Sequence, residues 1–297
     1  MKLRLGRKPA ARGWSPSLTS TQWGESTFAE QSWGRSRNAS TRWALAGGVL
    51  GALLATLAFA PATWLADAVA SASGQRFLLA EARGTVWSGS AVPVLTGGPG
   101  SRDAAALPGR FSWTVRLAGT ALEVRASQAC CLNGSVAVRL NPGFSRVSAT
   151  LVQPADWVGQ WPTAWLTGLG TPWNTMQFGG SARLTSPGVT VEWVAGRWRV
   201  EGQAEVELID VSSRLSTLEP LGSYRLRVLG DPSNAGQPQL SLSTQDGTLQ
   251  LSGSGAWGPG GLRFRGEARA AANEAALSNL LNIIGRRDGA RSVIAIG

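Results

Sequence analysis

An uncharged run of 24 residues, 43–66, constrains the fold of this chain more than any other feature of its sequence. As an α-helix rising about 1.5 Å per residue, the run would reach about 36 Å, enough to cross a hydrocarbon core of about 30 Å. We therefore expect a single membrane-spanning helix over residues 43–66. It would separate a short segment, residues 1–42, from a long domain, residues 67–297.

The predicted anchor is rich in large apolar side chains and carries an indole near each end. Indole rings suit the interface between hydrocarbon and water, which fits the positions of Trp43 and Trp64. The predicted anchor residues are Trp43, Leu45, Leu50, Leu53, Leu54, Leu57, Phe59 and Trp64.

Charge sets the expected orientation of the span. Residues 1–42 carry eight basic and two acidic side chains, whereas basic and acidic residues alternate without a cluster after the run. Lys and Arg that flank a span are retained on the cytoplasmic side. We therefore expect residues 1–42 to be a cytoplasmic, basic and disordered segment, since they are polar with little periodicity, and residues 67–297 to lie on the other side.

A cleaved signal peptide is the alternative to an uncleaved anchor. Ala68-Val69-Ala70 has the small-x-small form of a cleavage site. The apolar run, however, is longer than the usual signal core of about 7–15 residues, which favours the anchor. Cleavage near Ala70 stays open, as does an upstream misassigned start that would make residues 1–42 an extension.

The sequence offers no set of residues that would carry catalysis or hold a metal. Histidine is absent, which removes histidine general bases, serine–histidine triads and histidine-containing zinc sites. Residues 1–42 account for most of the net charge of +10, and no basic groove can be read in the remainder. We expect no enzyme activity, no cofactor, no small-molecule substrate and no nucleic-acid partner.

Cysteine is confined to the neighbours Cys130 and Cys131. Without CxxC spacing they form neither a zinc knuckle nor a thioredoxin-type redox pair. Two interpretations stay open. In an oxidising compartment they could form a vicinal disulfide or bond to a partner, or they could be two small buried apolar side chains at a strand start, which we favour.

Residues after the run follow a period of two, the pattern of strands with one buried and one solvated face. Over residues 200–208, apolar or small side chains alternate with Glu and Gln, and Asp246-Gly247 between two apolar runs is a hairpin signal. We predict a mainly β domain, a curved or folded-over antiparallel meander with one apolar face.

One or two short helices are expected to interrupt this sheet. The first spans about residues 154–169, where Trp157, Trp161 and Trp165 recur every four residues, although Pro162 limits any continuous helix. The second has Glu274 in its first turn and stops at Gly285, with Arg286 and Arg287 near its end; one apolar stripe of leucine and isoleucine runs along it over residues 277–284. We expect the tryptophans to fill the apolar face of the sheet and the stripe to pack across its end.

Four stretches of the chain match motifs of a known family in the right order. They are residues 84–89, 214–226, 262–270 and 280–287. The motif residues are Gly84, Trp87, Glu219, Pro220, Gly222, Tyr224, Leu280, Leu281, Asn282, Gly285, Arg286 and Arg287. Together they resemble the type II secretion system protein N family over roughly residues 43–297, and they leave residues 1–42 outside.

The resemblance implies a bitopic protein of the bacterial inner membrane with a cytoplasmic N-terminus and a periplasmic β-rich domain. It implies an assembly or scaffold role in the machinery that exports folded proteins across the outer membrane. The expected partners are other type II secretion components, in the inner-membrane platform or associated with the secretin. The family has no established chemistry, so its motif residues are expected to be structural marks.

A second function stays open on architecture alone. A long sheet with an apolar groove, anchored beside the inner membrane, could carry lipid between membranes, as in AsmA-like or similar periplasmic β-groove proteins. A continuous apolar groove without arginine would favour this function. A groove filled by Trp157, Trp161 and Leu280 would argue against it.

Overall fold

The computed structural model of the chain describes residues 41–152, 157–194, 197–230, 237–258 and 261–297. The chain divides into two compact units, with the boundary between Ala58 and Phe59. Nearly all of the predicted disordered segment, residues 1–42, lies outside the described residues.

The first unit contains helix α1, Thr41–Ala58, with 18 residues and a mean hydropathy of 1.3. At about 1.5 Å per residue the helix is about 27 Å long, close to the thickness of a hydrocarbon core. Six of the predicted anchor side chains lie on it, and each is 58% to 79% exposed: Trp43, Leu45, Leu50, Leu53, Leu54 and Leu57. Among the described residues, α1 is the helix long and apolar enough to cross a membrane.

The sequence predicted one continuous helix over the apolar run, but the structure divides the run between two helices. Helix α1 ends at Ala58, and Pro61 forms an isolated β-bridge with Thr85 before helix α2, Ala62–Ala72, begins. Proline has no N–H to donate and disfavours helical geometry in the residue before it, so the helix stops in front of Pro61. Two predicted anchor residues, Phe59 and Trp64, consequently belong to the second unit.

The second unit is built on strands. In the described part of the chain, sixteen strands form one antiparallel sheet. In chain order they are β1 Phe77–Gly84, β2 Ser88–Thr96, β3 Ala104–Ala106, β4 Phe111–Ala118, β5 Ala121–Ser127, β6 Ser135–Pro142, β7 Arg146–Val152 and β8 Gly159–Pro162. They continue with β9 Phe178–Val194, β10 Arg197–Ser213, β11 Gly222–Gly230, β12 Gln239–Gly247, β13 Leu249–Gly258, β14 Gly261–Ala270, β15 Arg286–Asp288 and β16 Arg291–Ile296.

Strand order follows chain order almost throughout. The path is β1-β2-β4-β5-β6-β7-β9-β10-β11-β12-β13-β14-β16-β15, while β3 pairs with β2 and β8 pairs with β9. The predicted mainly β class and antiparallel meander are therefore confirmed. The turns alternate between two ends of the sheet. We call one of them the near end; it holds the β1–β2, β4–β5, β6–β7, β9–β10 and β13–β14 turns. The opposite end is the far end.

Helix α4, Glu274–Ile284, covers part of one sheet face toward the far end. Leu277, Leu280 and Leu281 are fully buried on it. They pack against a cluster of buried residues on the sheet and its far-end connections: Val211, Leu221, Tyr224, Leu249 and Ala268. The apolar stripe seen in the sequence is thus the largest cover of the C-terminal half of the sheet.

Helix α2 covers the N-terminal half. Ala62 packs with Ala91 of β2 and Trp113 of β4, all at most 3% exposed. The Trp113 indole Nε1 also donates a hydrogen bond of 3.0 Å to the carbonyl of Val86, and the Val86 N–H donates one of 2.9 Å to the carbonyl of Ala60. These bonds fix the chain to the β1–β2 turn where it joins the sheet.

Of the helix predicted over residues 154–169, residues 154–156 lie outside the described residues, and the rest is only partly helical. Residues 159–162 form strand β8, and a 3₁₀-helix, Thr163–Leu169, begins after Pro162; the short helix α3, Trp173–Met176, follows. Pro162 interrupts the segment as expected, but the part before it is extended, so the four-residue spacing of the tryptophans does not reflect a helix. Trp165 packs edge-on against Phe77 at 6.2 Å and donates a hydrogen bond of 2.8 Å to the carbonyl of Ala105.

We predict that Leu280→Ala lowers the free energy of unfolding by about 2–5 kcal/mol, because the removed side chain is fully buried and leaves a cavity. Ile283→Ala on the same helix is the matched control, since Ile283 is 46% exposed and its truncation should cost about 0.5 kcal/mol or less. Denaturant unfolding of both full-length variants measures the difference. Equal losses would show that α4 does not pack on the sheet as described.

Candidate interaction surface

The sheet has one apolar face, which we follow through residues that lie directly opposite one another on successive strands. Two rows cross the C-terminal half and one crosses the N-terminal half. The first is Leu184, Val206, Leu226, Leu242, Gly253, Gly266 and Ile294, and the second is Ala204, Val228, Leu240, Gly255, Phe264 and Ile296. The third is Leu117, Leu122, Leu140, Ala149, Val191 and Val200. None of the three rows contains a charged residue.

The cover on this face is incomplete. Ala204, Val228 and Leu240 belong to neither buried cluster, and all three are half-buried. Trp161 lies over Gly159 beside strand β9, where a Cβ on the glycine would meet the indole at 2.6 Å. The helices and Trp161 therefore shield the far part of the face, while the part toward the near end stays open.

Phe264 covers a strip of the face that has no side chains of its own. Its ring contacts Gly253 and Gly266 on its two sides, and a Cβ at Gly266 would lie 2.9 Å from the ring. Phe264 is consequently 8% exposed although it belongs to neither buried cluster. Glycine at these positions lets the aromatic ring lie flat on the backbone.

The opposite face is polar. Arg225 Nε lies 2.6 Å from Glu205 Oε1, Arg225 Nη2 lies 3.0 Å from Glu207 Oε1, and Arg227 Nη2 lies 3.0 Å from Glu205 Oε2. Solvated pairs of this kind contribute little to stability, about 0–1 kcal/mol each. They keep this face in water and so make the other one the apolar surface of the domain.

The C-terminal edge of the sheet is short and charged. Strand β15 has three residues, and Arg291 on β16 pairs with Asp288 at 2.8 Å and with Glu267 at 2.9 Å. The hydrogen bond with Asp288, with the nearby charge of Glu267, raises the pKa of Arg291 above its ordinary value. Fixed charge on a short edge strand disfavours the addition of a further strand.

The early glycine-tryptophan motif forms the β1–β2 turn. Gly84 has φ +90°, and a Cβ there would collide with the carbonyl of Ser88. The carbonyl of Trp87 accepts a hydrogen bond of 2.7 Å from the N–H of Val115, which ties the turn to β4. The motif therefore lies where the chain enters the sheet.

The second motif lies in the far-end connection between β10 and β11. Glu219 and Pro220 are exposed, and the bond between them is cis. Leu221, which is 1% exposed, donates a backbone hydrogen bond to Val211 and accepts one from Leu249. These hydrogen bonds attach the connection to β10 on one side and to β13 on the other.

Gly222 and Tyr224 continue this motif into β11. Gly222 has φ +156°, and a Cβ on it would lie 3.1 Å from the Tyr224 hydroxyl. Tyr224 is 2% exposed, and its Oη donates a hydrogen bond of 3.1 Å to the carbonyl of Leu249. Burial raises the pKa of Tyr224 above its ordinary value of 10.0.

The last motif, residues 280–287, joins α4 to the C-terminal edge. Leu280 and Leu281 are buried under the helix, whereas Asn282 is exposed. A Cβ on Gly285 would collide with the carbonyl of Val293, which explains why glycine fits there. Arg286 and Arg287, expected beside the helix end, belong to strand β15; Arg287 Nη2 lies 2.7 Å from Glu274 Oε1 at the start of the helix.

The cysteines occupy the far-end turn between β5 and β6. Cys130 and Cys131 are joined by a disulfide, so the less favoured of the two sequence interpretations describes the structure. Only Cys131 is buried, at 3% exposure. Its carbonyl accepts a hydrogen bond of 2.8 Å from the N–H of Gln160, which attaches strand β8 to this turn.

The sequence analysis missed a set of exposed apolar side chains along the near end. We call this set the near rim. It consists of Leu117 (79% exposed), Phe144 (114%), Val147 (40%), Trp193 (41%), Trp198 (66%) and Trp257 (54%). The sequence did contain a signal for the near rim: in the strands that end there, apolar residues keep alternating up to the turn and do not give way to polar ones.

We predict that Tyr224 resists ionisation in the folded chain. Tyr224 is the sole tyrosine of the sequence, so absorbance at 295 nm follows this residue alone. Absorbance should rise near pH 10 in urea but only at higher pH in the native protein. A pKa raised by folding gives stability that is fully present below pH 10.0 and is lost as pH rises through the folded value. Tyr224→Phe should remove this alkaline loss; native ionisation near pH 10 would contradict the burial.

Comparison with known proteins assigns the sheet to a family. Searches of curated proteins and of solved structures found no match. A family model described as type II secretion system, protein N, matches residues 75–294, from just before the first strand to within the last. The chain belongs to the type II secretion system protein N family.

Proposed function

We propose that this chain is a membrane-anchored scaffold of the type II secretion system, which holds its β domain in position among other components of the apparatus. The observation that carries the proposal is the family match across the whole sheet, residues 75–294. Helix α1, which is long and apolar enough to cross a membrane, supports the anchoring.

The proposed placement is a single pass through the bacterial inner membrane. The basic residues of segment 1–42 support a cytoplasmic N-terminus, because Lys and Arg beside a span are retained on that side. The domain after the span would then lie in the periplasm. A disulfide between Cys130 and Cys131 is compatible with that oxidising compartment.

The proposed mode of action is positional. The charged pairs of the polar face favour solvent there, and the fixed charge of Arg291 and Asp288 disfavours strand addition at the C-terminal edge. The partly open apolar face remains as a surface for contact with other proteins. The proposed partners are components of the inner-membrane platform or proteins associated with the secretin.

We predict that a cysteine placed at Gln250 captures secretion components from the periplasmic side. Gln250 is exposed beside the far-end β12–β13 turn, and both native cysteines are held in a disulfide. A polar thiol-reactive crosslinker that cannot pass the inner membrane should react with Gln250→Cys in intact cells. Mass spectrometry of the adducts should then identify type II secretion proteins.

The two parts of this experiment fail separately. Absence of labelling before lysis would contradict the periplasmic placement. Labelling with capture of unrelated proteins alone, in cells whose protein export survives deletion of this chain, would contradict the scaffold role. The wild-type chain, carried through the same reaction, is the matched control for nonspecific capture.

Lipid carriage is the second candidate function, and the charge-free rows of the apolar face favour it. A lipid acyl chain could lie along the part of the face that the helices leave open, against side chains such as Val228 and Leu240. The cover at the far part of the face, including Leu280 and Trp161, limits the space for it.

We predict that Leu240→Arg reduces the phospholipid that co-purifies with the full-length chain, if the face binds acyl chains. A charge among apolar side chains would have to be desolvated when an acyl chain packs on it. Gln239→Arg is the matched control, since Gln239 is exposed on the other face of the same strand. Equal lipid content in both variants, measured by mass spectrometry of extracted lipid, would contradict lipid carriage.

A further inference from the structure

We infer that the near rim docks on the surface of a lipid bilayer, and that the domain therefore contacts the membrane through its hairpin tips as well as through its anchor. The observation behind this is the exposure of large apolar side chains at four hairpin tips along one end of the sheet. The inference rests on the proposed membrane span, because the span would bring a membrane within reach of this end.

The rim is continuous where the longest hairpin meets its neighbour. Val147, Trp193 and Trp198 lie directly opposite one another on β7, β9 and β10 and point to the apolar face. Strands lie about 4.8 Å apart, so the three side chains form one strip about 10 Å wide. Phe144, in the adjoining β6–β7 turn, extends this strip and is fully exposed.

The arrangement of these side chains suits a bilayer better than a pocket-forming partner. They lie on four separate hairpin tips at one end of the sheet, so they are spread along an extended edge. Tryptophan side chains combine a large apolar ring with an N–H group and prefer the boundary between headgroups and acyl chains.

Charge at the same tips complements an anionic lipid surface. By sequence, four segments around the near-end turns with rim residues contain five arginines and no aspartate or glutamate; residues 195–196 and 259–260 within them lie outside the described residues. The segments are residues 116–122, 141–147, 193–199 and 257–263, and the arginines are Arg116, Arg146, Arg197, Arg199 and Arg263. Arg146 also pairs with Glu192 on β9, the residue directly before the segment 193–199. Arginine beside exposed apolar rings is the composition of segments that bind anionic headgroups.

The near end is also the end at which the chain joins the sheet. Phe59 and Ala60 are the residues between the last residue of α1 and the bridge of Pro61 to Thr85 at the β1–β2 turn. An extended chain advances at most about 3.6 Å per residue, so a membrane that holds Ala58 is tethered within about 10 Å of this turn. That tether raises the local concentration of lipid at the rim.

A fluorescent label at the rim tests the inference. The full-length Phe144→Cys chain, labelled with the environment-sensitive dye NBD, is placed in vesicles of phosphatidylethanolamine and phosphatidylglycerol. The label should emit at shorter wavelength and be quenched by nitroxide-bearing lipid. Gln250→Cys at the far end is the matched control and should emit as in water. The native cysteines do not react, because they form a disulfide.

A second pair of variants asks whether the tryptophans hold the rim on the lipid. In the labelled Phe144→Cys chain, Trp193→Ser with Trp198→Ser should weaken the quenching. Trp173→Ser, a partly exposed tryptophan outside the rim, should leave it unchanged. Unchanged circular dichroism would show that both variants fold.

The possible outcomes distinguish failure of the rim inference from failure of the proposed span. A chain that does not float with the vesicles overturns the span, and the rim inference falls with it. A chain that floats while the rim label emits as in water overturns the rim inference alone. A blue-shifted rim label that lipid nitroxides do not quench points to a protein contact, with a second copy or a partner, and also overturns it.

Discussion

Each strand of this sheet presents alternate side chains to one apolar face, and the described residues contain no second sheet against which that face could pack. Shielding the face from water is the constraint on which the other elements depend. Helix α4 does this with Leu280 and Leu281 in the C-terminal half, and α2 does it around Trp113 in the other. What the helices leave uncovered is the surface with which the domain can act.

The same constraint explains why the uncharged run of the sequence is divided. Ala62, at 2% exposure, is needed under the sheet as part of α2, whereas the leucines of α1 are exposed. The break before Pro61 separates a helix long and apolar enough to cross a membrane from a helix that packs in the core of the sheet domain. Hydrophobicity alone cannot distinguish these, since both surroundings are apolar.

Residues with strict alternation were predictable, because a period of two leaves one geometry for strands such as 200–208. The stripe of α4 was equally clear. The segment around Trp161 was only partly predictable, since Pro162 indicated a break, whereas the residues before it pair with β9 and do not form a helix. The near rim was missed because the exposure of Trp198 depends on how far β10 extends past β11, whose pairing ends with Gly230 opposite Gly202; sequence alternation shows the apolar side chains but not this exposure.

The strand order has a consequence for how the domain is made. Nearly every strand pairs with the one just before it in the chain, so each pairing closes only a short loop at a small entropic cost. A chain delivered from its N-terminus can therefore add strands one at a time to the edge already formed, beginning with β1. Helix α4 follows β14 in the chain and packs on strands that all precede it, so it can cover the C-terminal half only after those strands have paired.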